Sequence, residues 1–150
     1  MYILDTNVVS ELRKKSGNKA DRSVVAWAGS VLPTSIFLSS ITVLELERGV
    51  LLIERRDPAQ GAVLREWLDG HVLPTFSGRI LAIDTAVAQC CAKLHIPDPS
   101  PDRDAFIGAT ALVHGLQVVT RNISDFEPMG VRTINPWDFG SRDATVFSTR

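Results

Sequence analysis

The sequence predicts an α/β fold around a mostly parallel sheet of four to five strands. Short apolar, β-rich runs alternate with segments of helical periodicity along the chain, the pattern of strand–helix units whose parallel strands share one sheet. At 150 residues the chain has the length of a single domain, and such a chain buries about 68–70% of its unfolded surface without metals or disulfides as staples. Its 45% hydrophobic and 22% charged content is that of a globular protein, which excludes disordered, collagen-like and coiled-coil classes.

The first strand is Tyr2-Ile3-Leu4, followed by a helix from about Asn7 to Lys14 and a polar loop over 15–19. Ser23 to Val31 returns to helix and Pro33 closes it. Residues 36–41 form the second strand, leading into a helix from Thr42 to Arg56 with apolar Val43, Leu44, Leu46, Val50, Leu51 and Ile53. Asp57-Pro58 interrupts that pattern, and Ala59 to Leu73 makes an amphipathic helix ending at Pro74. Residues 79–83 are a third strand and Thr85 to His95 a helix. The proline-rich piece 96–101 must be loop, because proline cannot continue a helix. A helix from Asp102 to His114 ends at Gly115, a natural left-handed terminator. Residues 116–120 form the fourth strand and 131–134 a candidate fifth. Residues 1–139 thus make one domain, and 140–150 a polar tail. No repeat or low-complexity tract interrupts it.

Sixteen basic against seventeen acidic residues leave a net charge of −1, so a polyanion must be held by a local site rather than by overall charge. No run approaches the ~18 apolar residues of a membrane span, and the amino terminus lacks the basic leader and apolar run of a secretory signal. The only cysteines, Cys90 and Cys91, are neighbours and cannot close an ordinary loop. A reduced, cytoplasmic chain is the expectation.

In open parallel sheets ligands collect beyond the carboxyl ends of the strands. Asp5 directly follows the first strand, Glu45 lies in the first turn of the helix after the second, Asp104 opens the helix before the fourth, and Asp125 falls just past the fourth. Singly, most have ordinary explanations. Glu45 fits a capping box with Thr42, Asp102 or Asp104 an N-cap, and Asp125 a turn. Asp5 is hardest to explain away, because a carboxylate ending an apolar strand gains little structurally. Jointly, four converging carboxylates would repel by on the order of 1 kcal/mol or more per pair, which a fold accepts only with protons or a cation. An oxygen-only set suits Mg²⁺ or Mn²⁺ rather than zinc, and such an ion can deliver a polarised water to a phosphodiester.

At these residues a family resemblance becomes specific. Met1-Tyr2-Ile3-Leu4-Asp5-Thr6-Asn7 resembles the opening of PIN domains, and Leu44-Glu45-Leu46 their second acidic motif. The run from Asp104 to Ala111 is similar to the third motif, and Val119-Thr120-Arg121-Asn122 with Asp125-Phe126 to the fourth. The closing Ile134-Asn135-Pro136-Trp137 is similar to the VapC- and FitB-type toxin subgroup. The resemblance spans roughly residues 1–137 and implies a PIN-like three-layer α/β/α sandwich acting as a Mg²⁺-dependent endoribonuclease toxin. It implies a cognate antitoxin protein as inhibitor, a homodimer, and a larger toxin–antitoxin assembly on operator DNA through the antitoxin. By carry-over, Asp5, Glu45, Asp104 and Asp125 are the catalytic and metal-binding set, with Asp5 and Asp104 as principal ligands. Asp104 fits the motif better than Asp102, which is left as a cap. Gly108 stands where relatives usually carry Ala, at a helix-propensity cost of ~1 kcal/mol.

Asn7 and Thr120 are expected to fix the carboxylates' orientations, with plain turn or cap roles as the alternative. Arg121 is the best-placed RNA-binding residue, while Arg13, Lys14, Lys15, Lys19 and Arg48 read mainly as solvated charges. His71, His95 and His114 lack metal-ligand spacing, Cys90 and Cys91 read as packed thiols, and Trp27, Trp67 and Trp137 as packing. Glycine-rich phosphate-loop and Gly-x-Ser-x-Gly signatures are absent from the sequence. Two other classes stay open: a Mg²⁺ phosphohydrolase with Asp5 as nucleophile, for which position 7 carries Asn instead of a second acid, and a non-catalytic binding module of the same fold.

Overall fold

The structure, a computed structural model, describes residues 1–140; apart from Gly140, the expected polar tail lies outside the described residues. Five parallel strands, β1 (Tyr2–Leu4), β2 (Ile36–Ser39), β3 (Ile80–Leu81), β4 (Gln117–Val119) and β5 (Thr133–Ile134), form one sheet in the order β3-β2-β1-β4-β5. β1 has the expected bounds, and the other four are shorter than the apolar runs suggest. Tyr2 pairs with Ile36 on one side and Gln117 on the other, so β1 is central.

The strand alternation distributes the core to both faces. Ile3 and Val118 join a cluster with Val87, Cys91, Ala105, Ile107, Ala109 and Phe126. Leu4 and Val119 join another with Val8, Val24, Trp27, Leu38, Leu46, Val50 and Leu68. The first face is covered by α6 (Thr85–Leu94) and α7 (Asp102–His114). The second is covered by α1 (Thr6–Arg13), α2 (Arg22–Ser30), α3 (Ser40–Arg56) and α4 (Pro58–Trp67). The result is the three-layer sandwich.

Most helices begin on an aspartate or serine that satisfies their free amides. Asp5 caps α1, Asp21 caps α2, Ser39 caps α3, Asp57 caps α4 ahead of Pro58, and Asp84 caps α6. This corrects two expectations. The helix carrying Glu45 starts at Ser40, so Thr42 and Glu45 form no capping box; Ser39 accepts the Ile41 amide instead. Likewise Asp102 is not a cap, because Pro101 holds the cap position of α7 without any side-chain bond. Asp102 is exposed and pairs with His95 Nε2 at 3.7 Å. The helix through 58–75 also outruns its expected end. A π-helical segment, Leu68–Val72, leads into α5 (Leu73–Thr75), so Pro74 lies within the helical path rather than terminating it. Past β4, a short helix α8 (Ile123–Phe126) buries Phe126.

Candidate active site

The sheet order places the topological switch between β1 and β4. Connections from β1 run outward toward β2 and β3, while β4 runs toward β5, and a crevice opens where they diverge. Asp5 is the residue after β1 and Thr120 the residue after β4. The Asp5 amide donates to Val119 O at 2.9 Å, which pins Asp5 to the sheet edge.

The Asp5 carboxylate is buried and accepts three donors. Oδ1 accepts the Thr6 amide at 2.8 Å. Oδ2 accepts the Thr120 hydroxyl at 2.8 Å and the Asn7 amide nitrogen at 3.3 Å. Thr120, itself fully buried, also accepts the Asn122 amide at 2.9 Å. Asn7 Oδ1 lies 3.5 Å from the Arg121 amide, a long contact across the switch. Asn7, where an aspartyl-nucleophile enzyme carries its second acid, here donates to Asp5.

Glu45 reaches the same place from α3. Its Oε1 accepts the Thr6 hydroxyl at 2.9 Å, and Oε2 faces Arg103 Nη1 at 3.5 Å. Asp104, in the first turn of α7, is half-buried and bonds to no donor among the described residues. These three carboxylates line one cavity of about 490 Å³ together with Ser10, Glu11, Lys14, Arg121, Asn122 and Trp137. Asp125 is exposed and is not among the residues lining it.

The electrostatics tie all four together. Burial pushes the Asp104 carboxyl up to about 6, and the charges of Asp5, Asp125 and Glu45 add to the rise. The positive amino-terminal end of α7 favours the ionised form, and desolvation with three like charges outweighs it. Asp5 is also raised, chiefly by burial; its bonds from Thr120 and Thr6 pull down, and Glu45 and Asp125 push up. Among the described residues, however, no three acidic, histidine or cysteine side chains are arranged to hold a metal ion between them. The carboxylates therefore share a field rather than a closed cage. The donor chemistry fits a hard cation that keeps several waters and takes only one or two carboxylates directly, and it does not fit zinc.

Among the basic residues, Arg121 and Lys14 line the cavity. Arg121 stacks over Trp137 with its guanidinium 5.0 Å from the ring centroid, so Trp137 is both packing and platform. Lys14 pairs with Glu11 at 2.9 Å. Arg13 lies against Trp67 and Lys15 along a different groove, and neither Lys19 nor Arg48 lines the acidic cavity. That other groove is larger, about 870 Å³, but mainly apolar, with Glu66 as its single carboxylate. Its size does not make it the chemical site. His95 accepts the Ser100 amide on Nδ1 and lies near the buried Cys91 sulfur, a local structural role.

Sequence reasoning missed Thr6, Thr42, Arg103 and the dual role of Trp137. Thr6 stands between the two named motif residues Asp5 and Asn7, and its polar side chain at the first helical position was the available signal. Arg103 has no local signal, since only the fold brings it to Glu45 across 58 residues.

Comparisons with known proteins agree with this fold. A family model described as PIN domain matches residues 2–127. The VapC ribonuclease Y4jK of Sinorhizobium fredii is 37% identical over 145 residues, covering 92% of this chain and 99% of that protein. The solved structure of FitAB bound to an IR36 DNA fragment has a TM-score of 0.81 at 35% identity, covering 91% of this chain and 96% of that one. A toxin–antitoxin complex from Klebsiella pneumoniae gives a TM-score of 0.64 at 25% identity, covering 91% and 98%.

Proposed function

This chain belongs to the PIN-domain family, and from that premise we propose that it is an endoribonuclease, the toxin of a toxin–antitoxin pair, acting with Mg²⁺ or Mn²⁺ at the acidic cavity. The observation that carries this reading is the meeting of Asp5, Glu45 and Asp104, remote in sequence, on one cavity at the sheet's switch point.

Asp5 and Asp104 would hold the ion, with Glu45 and Asp125 completing the acidic ring through its waters. Once bound, the ion supplies a water of lowered pKa and polarises a phosphodiester oxygen. The protein's own groups supply the rest. Thr120, Thr6 and Asn7 hold Asp5 in one orientation, so its charge is spent on the reacting centre rather than on rearrangement. Asp104, with its carboxyl near 6, carries a proton at mildly acid pH and is ionised at neutral pH, so cation binding must displace a proton below about pH 6. Arg121, fixed against Trp137 at the rim, takes an RNA phosphate as a planar cation.

Its relatives' names carry the partner. The Klebsiella pneumoniae neighbour is a toxin–antitoxin complex and the FitAB neighbour is bound to DNA, and we extend both settings to this chain: inhibition by a cognate antitoxin, and assembly on operator DNA through it. A homodimer and a cytoplasmic location belong to the same proposal, the former tested by sedimentation. No helix among the described residues is long and apolar enough to cross a membrane.

The test is cleavage of RNA by the purified chain with and without chelator. Chelation should abolish cleavage, Mg²⁺ or Mn²⁺ should restore it, and Asp5→Asn or Asp104→Asn should remove it. Undiminished cleavage by either variant would overturn the site.

A further inference from the structure

We propose that Thr6 is a positioning residue that sets the separation between Asp5 and Glu45 through a directional hydroxyl chain reaching back to the buried Thr42. This inference rests on the proposed endoribonuclease site and deepens it.

Among the described residues, Thr6 is the one that bonds two of the cavity's carboxylates at once. Its amide donates to Asp5 Oδ1 at 2.8 Å, and its hydroxyl donates to Glu45 Oε1 at 2.9 Å. The Thr42 hydroxyl lies 3.3 Å from the Thr6 hydroxyl. A hydroxyl has one proton to give, and an ionised carboxylate only accepts. The Thr6 proton therefore belongs to Glu45, and Thr42 must donate to Thr6. Thr42 is fully buried on α3, three residues before Glu45 and on the same helical face. The order is Thr42 to Thr6 to Glu45, with each bond polarising the next.

An ordinary threonine at the start of a helix would turn its hydroxyl to its own backbone. Thr6 spends its hydroxyl across 39 residues instead. The effect is specific to Glu45, whose long side chain loses rotamer freedom when fixed. Without the Thr6 hydroxyl, repulsion from Asp5 and Asp104 drives Glu45 toward Arg103 and solvent. Asp5 would keep its place, because the Thr6 amide, Thr120 and Asn7 still hold it.

The experiment compares Thr6→Val, which keeps shape and amide but deletes the hydroxyl, with Thr6→Ser, which restores it. Because Val at 6 orphans the Thr42 hydroxyl, the double variant Thr6→Val with Thr42→Val is included, and Glu45→Ala serves as reference. Two readouts are taken on the full chain: the Mn²⁺ concentration giving half-maximal RNA cleavage, and the calorimetric Kd for Mn²⁺ without RNA. Thr6→Val should weaken both about 10-fold or more, the size expected for a hydrogen bond to a charged group. Thr6→Ser should stay within about threefold of the parent protein, and the double variant should melt at the parent temperature yet keep the weak affinity. Normal Mn²⁺ affinity in Thr6→Val while Glu45→Ala is impaired would overturn the inference and leave the site standing. A Thr6→Ser as defective as Thr6→Val would also overturn it. An unimpaired Glu45→Ala would instead remove Glu45 from the site, and the inference with it.

Discussion

Asp104→Asn should make the metal-free protein more stable while destroying its activity. The Asp104 carboxyl sits at about 6 in the fold against about 4 when unfolded. The folded state thus binds this proton more tightly than the unfolded chain does. Stability falls as pH rises from about 4 to about 6, and the whole loss is present above that. Two pH units correspond to ~3 kcal/mol at 1.36 kcal/mol each. Asp104 is only half-buried, and solvent screening cuts this to roughly half. Asparagine also gives up the favourable helix-end charge, worth about 0.5 kcal/mol. The net gain is ~1 kcal/mol, or about 2–4 °C in Tm for a chain of this size. Thermal unfolding followed by circular dichroism with chelator, at pH 7.5 and pH 4, reads it directly. The variant should melt higher at pH 7.5, and the gain should shrink to about 0.4 kcal/mol or less at pH 4, where Asp104 is neutral in the fold and about half ionised in the unfolded chain. A gain equal at both pH values, or none at pH 7.5, would refute the argument that like-charge crowding and burial dominate here.

Other outcomes follow from the same geometry. Adding Mg²⁺ should raise the parent protein's Tm in proportion to the logarithm of its concentration and leave Asp104→Asn nearly unmoved, as differential scanning fluorimetry would show. Arg121→Ala should weaken RNA binding and reduce the slope of log affinity against log salt by about one, with Trp137→Leu, which removes the stacking platform, lowering affinity in the same filter-binding assay. Gly61→Ala should destabilise. Helix propensity alone argues for a gain of ~1 kcal/mol, but the added Cβ would stand 2.5 Å from Glu54 Cα where α4 crosses α3, so a cost of about 1–3 kcal/mol is expected in urea unfolding. An unchanged midpoint would show that the two helices can part cheaply.

The parallel α/β sheet was legible because it rests on periodicity, the three-layer order came with the family resemblance, and the carboxyl-edge site rested on the acid that ends an apolar strand. Asp5 stood out as an acid ending an apolar strand; the structure corrects the expectation that a carboxylate gains little there, because Asp5 also caps α1 by accepting the Thr6 amide. Glu45 was harder, because Thr42 three residues earlier mimics a capping box; the helix in fact starts at Ser40, and Thr42 turns inward to Thr6. Asp102 and Asp104 look alike by composition, and only the wrap of α7 against the sheet decides that Asp104 faces the cavity while Asp102 faces His95 and solvent. Gly108 looked like a simple loss of helix propensity. Its missing Cβ would meet Met129 Sδ at 2.5 Å, so the glycine answers a neighbour 21 positions away that no local pattern reveals. The π-turn at 68–72 is equally illegible, since Pro74 reads as a stop and the chain accommodates it by widening the preceding turn.

What the fold has built around the cavity is graded. Asp5 accepts three donors, Glu45 accepts one hydroxyl and leans toward an arginine, Asp104 bonds to no donor among the described residues, and Asp125 stands outside the lining. Desolvation still wins at Asp5 despite its donors, so the hydrogen bonds do not make the charge comfortable; they only fix where it points. The number of bonds holding each carboxylate falls off from the sheet edge outward. Asp5 is held by β1, by Thr120 from beyond β4 and by the start of α1 together, whereas Asp104 is held by α7 alone. The proposed binding of a hydrated ion and then RNA would need one anchored ligand and others free to adjust, and a switch point between strands that diverge suits that combination.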